Sequence, residues 1–109
     1  MFGTGRSNIT FENHLENMKD PIKAIMVDLR KFVISLGSNV IEEVRPHRIV
    51  YSKTLNFRIF LEIVPDNGGS LRLSIRYGRS IPPSSLVVMT AEDAASVKKQ
   101  IVEAYNKIQ

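Results

Sequence analysis

Two stretches of the chain repeat their apolar residues with the 3.6-residue period of an α-helix. In the first, seven apolar residues within 22–36 share one face, with Pro21 before them and Gly37 after them, where a left-handed glycine would end the helix. In the second, apolar residues within 94–108 form a similar stripe behind Thr90, and the Thr-Ala-Glu-Asp sequence there is typical of an N-terminal cap. The pattern therefore predicts two amphipathic helices.

The chain before the first of these helices divides into a polar tail and a short helical segment. Residues 1–9 are mostly small, polar and glycine-containing, which indicates a flexible tail. Thr10 is a suitable N-cap for a short helix in which Phe11, Leu15 and Met18 share one face. We therefore expect the folded part of the chain to begin at about this threonine.

Between residues 40 and 90 the period changes to two, which is typical of strands with one buried and one wetter face. Apolar and polar residues alternate in three runs, and a short apolar run follows them: 48–52, 57–64, 71–77 and 86–89. Residues 65–70 join the second and third runs and are rich in turn-forming residues. The pattern predicts an antiparallel sheet of about four strands.

These elements together predict an α+β fold, a two-layer sandwich with the N- and C-terminal helices on one face of the sheet. A chain of 109 residues with 43% hydrophobic residues can build one core but not two, so residues 10–109 are predicted to form a single domain. The sequence has no cysteine, signal peptide or apolar run long enough to span a membrane, which favours a soluble cytoplasmic protein.

The net charge of +4 is concentrated in the predicted sheet. The stretch 45–79 has seven cations, six of them arginines, against two carboxylates, so it carries +5 and the rest of the chain −1. Strand alternation places five residues on the sheet face away from the helices: Arg48, Arg58, Phe60, Arg72 and Arg76. Guanidinium groups bind phosphate and an exposed ring can stack on a base, so these residues form a candidate nucleic-acid or polyanion surface.

A second interpretation of the same face involves no ligand. The arginine side chains would cover apolar surface with their stems, and Phe60 would lie under a loop or a partner protein. The alternation favours a register in which Ile63 lies opposite Leu71. This register sets Glu62 opposite Arg72 as a favourable pair but Arg58 opposite Arg76 as an unfavourable one. Both interpretations require the arginines to emerge on the side away from the helices.

No pattern in the sequence indicates catalysis, a metal site or a cofactor. His14 and His47 stand in no metal-binding spacing. Glu42 and Glu43 are adjacent, so in a strand they point to opposite faces, and Asp93 is explained by helix capping. No nucleophile motif or phosphate-binding loop with the required flanking elements is present. The sequence therefore predicts a non-enzymatic domain without a cofactor.

Three segments carry a resemblance to a known family: FENHLE at 11–16, RIVYSKTLNF at 48–57, and Glu92-Asp93 leading to Ala104-Tyr105. Together they resemble a small domain family of unknown function labelled "predicted transport protein". The resemblance implies a stand-alone α+β module, sometimes appended to nuclease-like or restriction-associated domains, with no assigned catalytic residues. The chain departs from the family at 78–85, where the family has a glycine-bearing aromatic or histidine segment.

The sequence thus favours a binding or interaction module. Val50 and Phe60 on the predicted outer face favour a protein interface, with a foreign partner or a second copy. The alternative is a nucleic-acid-associated accessory domain that uses the arginines of that face. A membrane partner is not expected, because no segment can span a bilayer and the transport label has no physical support.

Overall fold

A computed structural model describes residues 9–54, 58–66, 69–78 and 80–108. The elements of this described part are α1 (Phe11–Glu16), α2 (Ile22–Ile34), β1 (Val40–Arg45), β2 (Arg48–Lys53), β3 (Ile59–Asp66), β4 (Ser70–Ile75), β5 (Ser84–Val88) and α3 (Ala91–Lys107). The predicted α+β class is confirmed, with five strands rather than about four. Of the predicted tail at 1–9, residues 1–8 lie outside the described residues.

The strands form a single antiparallel sheet in the order β1-β2-β3-β4-β5. The strand missing from the prediction is β1, because Glu42 and Glu43 interrupt its apolar alternation. Glu42 lies opposite Tyr51, which belongs to the buried core, and Glu43 lies opposite Val50 on the other face. The two carboxylates therefore point to opposite faces, as predicted.

The helices and one face of the sheet enclose the hydrophobic core. The fully buried side chains at its centre come from both layers: Met26, Leu29, Val33, Ile49, Tyr51, Phe60, Leu61, Ile63, Leu71, Ile75 and Ile101. Burial of this apolar surface contributes about 25 cal/mol per Å² and is the main term that holds the layers together. On the opposite side of the sheet, Arg48, Arg72 and Arg76 are exposed, and we call this side the open face.

A β-bulge in β3 determines which of its residues face the core. Tyr51 lies opposite Leu61 and Ser52 opposite Ile59, so Phe60 is an extra residue without a counterpart. Phe60 is fully buried, and its ring meets the ring of Tyr105 edge-on with 5.4 Å between centroids. The prediction that Phe60 lies on the open face is therefore wrong, because an inserted residue breaks the two-residue period of a strand.

The predicted cap of the last helix is confirmed. The Thr90 hydroxyl accepts a hydrogen bond from the Asp93 N–H at 3.1 Å, and the Asp93 carboxylate accepts from the N–H of Thr90 at 3.2 Å. The Met89 N–H also donates to Asp93, at 2.9 Å, and this bond is the main reason that the pKa of Asp93 lies below its ordinary value. Thr10 forms the same reciprocal cap with Asn13 at the start of α1.

The C-terminal end of α2 differs from the prediction. The helix ends at Ile34, and Gly37 does not adopt the left-handed conformation of a terminating glycine. Gly37 instead lies against Tyr105 of α3, where a Cβ atom would overlap the tyrosine hydroxyl and approach Asn39 Oδ1 to 2.8 Å. That hydroxyl donates a hydrogen bond to Asn39, so the absent side chain allows α3 to approach the segment after α2.

We expect Gly37→Ala to destabilise the domain by about 1–3 kcal/mol, because the new methyl group must displace the Tyr105 ring. Urea unfolding measures the change in free energy. The same substitution in a Tyr105→Phe background is the matched control, and there it should cost less, since the hydroxyl is gone. Equal losses in the two backgrounds would contradict the close approach as the reason for this glycine.

Candidate interaction surface

A carboxylate occupies the centre of the open face. Glu62 of β3 is only 7% exposed. Its Oε1 accepts a hydrogen bond from Arg48 Nη1 at 2.9 Å, and its Oε2 accepts one from Arg76 Nη2 at 2.6 Å. Arg48 lies on β2 and Arg76 directly follows β4, so the strand order itself brings an arginine to each side of the glutamate. We call these three residues the Glu62 cluster.

The Glu62 cluster explains how a carboxylate can be buried on a face that no described helix covers. Charge-assisted hydrogen bonds replace the water that the carboxylate loses on burial. Val50, which lies directly opposite Glu62, is also buried, at 2% exposure. No described helix packs on this face, so we expect neighbouring side chains of the face to cover Val50. The aliphatic stems of arginines commonly do this.

The remaining arginines of the open face are also paired with carboxylates. The Arg72 guanidinium donates to Asp66 at 3.1–3.3 Å, and Arg45 donates to Glu43 at 2.9 and 3.1 Å. Among the described residues of this face, four arginines therefore meet three carboxylates, and one positive charge is left over. The charge of these four arginines is thus largely neutralised by carboxylates of the same face.

The structure brings together three of the five predicted site residues. Arg48, Arg72 and Arg76 lie on the open face, and Phe60 does not. Arg58 is half-buried just before β3, where its carbonyl accepts a hydrogen bond from the Lys53 N–H at 3.3 Å. Because the bulge separates Arg58 from the rest of β3, its position no longer follows the alternation on which the prediction depended.

The predicted register of the β3–β4 hairpin is wrong by two residues. Ile63 lies opposite Leu73 instead of Leu71, and Glu62 lies opposite Ser74 instead of Arg72. The cause is Pro65, which the sequence places in the turn but which belongs to β3, so the strands run further before the chain reverses. A shift of two residues keeps every side chain on its face, which is why the core was still predicted correctly here.

Two of the residues that carry the family resemblance, Lys53 and Tyr105, have structural roles, and residues 55–57 of the second segment lie outside the described residues. Lys53 lies 4.1 Å above the centre of the Tyr105 ring, and its ammonium donates to the Ile108 carbonyl at 2.7 Å. The lysine thus satisfies a carbonyl group at the C-terminal end of α3, where a positive charge is favourable. This contact connects β2 to the last helix and involves no open site.

A partly buried polar chain that includes Tyr51 of β2 was not predicted from the sequence. The Tyr51 hydroxyl donates to Glu42 at 2.8 Å, and Arg30 of α2 donates two hydrogen bonds to the same carboxylate, at 2.9 and 3.0 Å. Burial, assisted by the bond to Glu42, raises the pKa of Tyr51 above its ordinary value. The one indication of these contacts in the sequence is Glu42 itself, a charged residue at a core-facing position of β1. Its partners Tyr51 and Arg30 cannot be identified from a local pattern.

The two histidines lie at one end of the sheet and form no metal site. They border an open groove of about 540 Å³ between α1 and the turn after β1. His14 Nε2 donates to the Arg45 carbonyl at 2.7 Å, which attaches α1 to the sheet. Among the described residues, no three histidine, aspartate or glutamate side chains are placed to hold a metal ion. No described helix is long and apolar enough to cross a membrane.

The two edge strands of the sheet have different character. β1 carries Glu42, Glu43 and Arg45, whereas β5 has the uncharged sequence SSLVV. Three of the four exposed large hydrophobic side chains of the described chain lie on or beside β5: Ile81 at 45% exposure, Val87 at 54% and Met89 at 55%. We call β5 together with these flanking residues the β5 edge.

A shallow groove lies on the open face beside the β5 edge. Its volume is about 170 Å³, and it is lined by Glu62, Val64, Arg72, Ser74, Ser85 and Val87, among others. Its floor combines uncharged side chains from β4 and β5 with the margin of the Glu62 cluster. The groove and the β5 edge therefore form one continuous accessible surface.

These features define a small α+β domain with a largely neutralised arginine face and one uncharged sheet edge. The chain matches no family model, no curated protein and no solved structure. The resemblance to the family labelled "predicted transport protein" thus stays a prediction from the sequence.

We expect Glu62→Gln to destabilise the domain by about 1–3 kcal/mol, because two charge-assisted hydrogen bonds lose their charged acceptor. The same substitution should raise affinity for heparin and steepen its salt dependence, because two arginines lose their counter-charge. Chemical unfolding and fluorescence titration at several salt concentrations measure these effects.

Two controls separate the cluster from a general change in charge. Glu43→Gln breaks an exposed pair on the same face and should change stability by at most about 1 kcal/mol. Glu103→Gln removes an equal charge from α3 and should leave the heparin affinity nearly unchanged. If Glu62→Gln were no more destabilising than Glu43→Gln, the Glu62 cluster would not be the central contact of the open face.

Proposed function

We propose that this domain is a non-enzymatic protein-interaction module that binds an extended polypeptide segment along β5. The observation that carries the proposal is the uncharged, accessible β5 edge. In this mode of recognition an added strand forms main-chain hydrogen bonds with the sheet edge, and its alternate side chains occupy neighbouring pockets.

The chemistry of the two edges supports this choice of strand. Folded proteins commonly protect a sheet edge with charged residues, since free backbone groups at an edge invite pairing with another chain. β1 follows this rule with Glu43 and Arg45, whose side chains are exposed and paired with each other. β5 does not follow it, because no residue from Ser84 to Val88 is charged.

The side chains around β5 also suit a polypeptide partner. Val87 and Met89 are each more than half exposed, and Ile81 nearly so. Clustered apolar side chains on a surface mark interaction sites more often than isolated ones. The groove of about 170 Å³ beside Val87 is large enough to take one aliphatic side chain from an added strand. The edge therefore offers both backbone pairing and a side-chain contact.

The polyanion alternative has less support than the arginine count suggested. Stacking on a base needs an exposed aromatic ring, and Phe60 is buried against Tyr105. Phosphate binding needs arginines that are not already neutralised, and the described open face has one surplus positive charge. With about one net charge engaged, affinity for a polyanion would depend only weakly on salt.

Peptides selected from a library of unstructured sequences test the proposal. They should protect the backbone amides of β5 from hydrogen exchange. Val87→Lys should weaken their binding by about ten-fold or more, because a lysine on an edge strand opposes pairing with another strand. Ile34→Lys is the matched control, since Ile34 is exposed to a similar extent but lies on α2, and it should leave binding unchanged.

The proposal fails if selected peptides protect other parts of the chain and ignore Val87→Lys. It also fails if no peptide is selected while the domain remains folded and monomeric. Binding of single-stranded oligonucleotides with a steep salt dependence, lost on Arg72→Gln, would favour the polyanion alternative instead.

A further inference from the structure

We infer that the segment that pairs with β5 is the β5 strand of a second copy of this chain, which would form a two-fold dimer with a continuous ten-stranded sheet. The inference rests on the proposed function, since it names the occupant of the same edge.

Charge favours β5 as the surface through which two copies meet. The chain carries +4, so contact between identical surfaces generally brings like charges together. In a two-fold interface each residue meets the same patch of the partner, so a charged patch repels itself. Residues 84–88 contain no charge, and the pairing of two β5 strands therefore places no like charges opposite one another.

The alternation along β5 fixes the register of such a pair. Ser85 and Val87 belong to the open face because they lie opposite Ser74 and Arg72, whereas Leu86 and Val88 face the helices. Residues directly opposite in an antiparallel pair point to the same side of the sheet, so the two-fold axis must pass beside a residue and not between two. Leu86 is the middle residue of β5, and an axis there pairs all five residues.

This register gives each exposed apolar residue of the strand a counterpart. Val87 lies opposite Ser85 of the second copy, at the margin of the groove on the open face. Leu86, which is half-buried, meets Leu86 of the second copy on the helix side and extends the core. Met89 lies opposite Pro83 of the second copy, and both of these side chains are exposed in the single chain.

The flanking residues limit the interface to β5. Pro82 and Pro83 have no N–H group, so backbone pairing cannot continue beyond the start of the strand. At the other end the chain enters α3 after Thr90. The pairing is thus a closed dimer contact of five residues and not an edge that adds strands without limit.

Cysteine cross-linking tests the register directly, because the native chain has no cysteine. In the proposed dimer the two Leu86 positions are directly opposite, about 4.5–5.5 Å apart between Cα atoms, which suits a disulfide. Under mild oxidation Leu86→Cys should form a covalent dimer. Ser85→Cys is the matched control, since it lies opposite Val87 and about 8 Å from its own copy, and it should cross-link far less.

A second measurement covers the case in which Leu86→Cys destabilises the fold. Sedimentation equilibrium of the unmodified chain, over about a hundred-fold range of concentration, should show a monomer–dimer equilibrium. Hydrogen exchange at β5 should slow as the dimer forms. Val87→Lys should raise the dissociation constant by about ten-fold or more, and Ile34→Lys should leave it unchanged.

The outcomes separate this inference from the proposed function. A chain that stays monomeric and does not cross-link, but binds selected peptides at β5, overturns the second copy as occupant and leaves the interaction module standing. A dimer that forms equally well in Val87→Lys, or cross-links equally through Ser85→Cys, overturns the proposed register. A monomer that neither dimerises nor binds peptides at β5 overturns both proposals.

Discussion

The single extra residue at the bulge in β3 determines the character of both faces of the sheet. Without the bulge, strand alternation would place Phe60 and Glu62 on the same side. With it, Phe60 packs against Tyr105 in the core, and Glu62 remains on the open face between Arg48 and Arg76. The central strand is therefore buried on both sides, by helices on one and by its own polar cluster on the other. The other side chains of the sheet are arranged around this strand.

The consequence for function is electrostatic. A basic stretch of sequence becomes a folded surface on which most arginines already have a carboxylate partner, so the open face loses much of its attraction for polyanions. These pairs also hold the long side chains in place over the sheet. The accessible surface without such partners lies at the β5 edge, where a few apolar side chains are exposed. The β5 edge is therefore a better candidate for an interaction surface than the arginines of the open face.

The sequence predicted the features that depend on local periodicity. The apolar stripes of α2 and α3 and the alternation of β2 and β4 led to the correct α+β sandwich. It could not predict the bulge at Phe60. A bulge depends on how β3 pairs with β2, and the residues around Phe60 show no local pattern that indicates it. The partners of Glu62 and Glu42 were equally hidden, because they come from α2, from β2 and from the residue after β4. The edge position of β5 follows from the strand order, which the hydrophobic pattern does not contain.

The most direct test of this account is the environment of Phe60 in solution. Proton NMR of the isolated domain should show strong nuclear Overhauser effects between the rings of Phe60 and Tyr105, and a soluble gadolinium complex should leave the Phe60 signals sharp. If these effects were absent and the gadolinium broadened the Phe60 ring as strongly as exposed side chains, the ring would lie on the open face. The bulge in β3 and the arrangement of the Glu62 cluster would then be contradicted, and an exposed Phe60 would favour the open face over the β5 edge as the interaction surface.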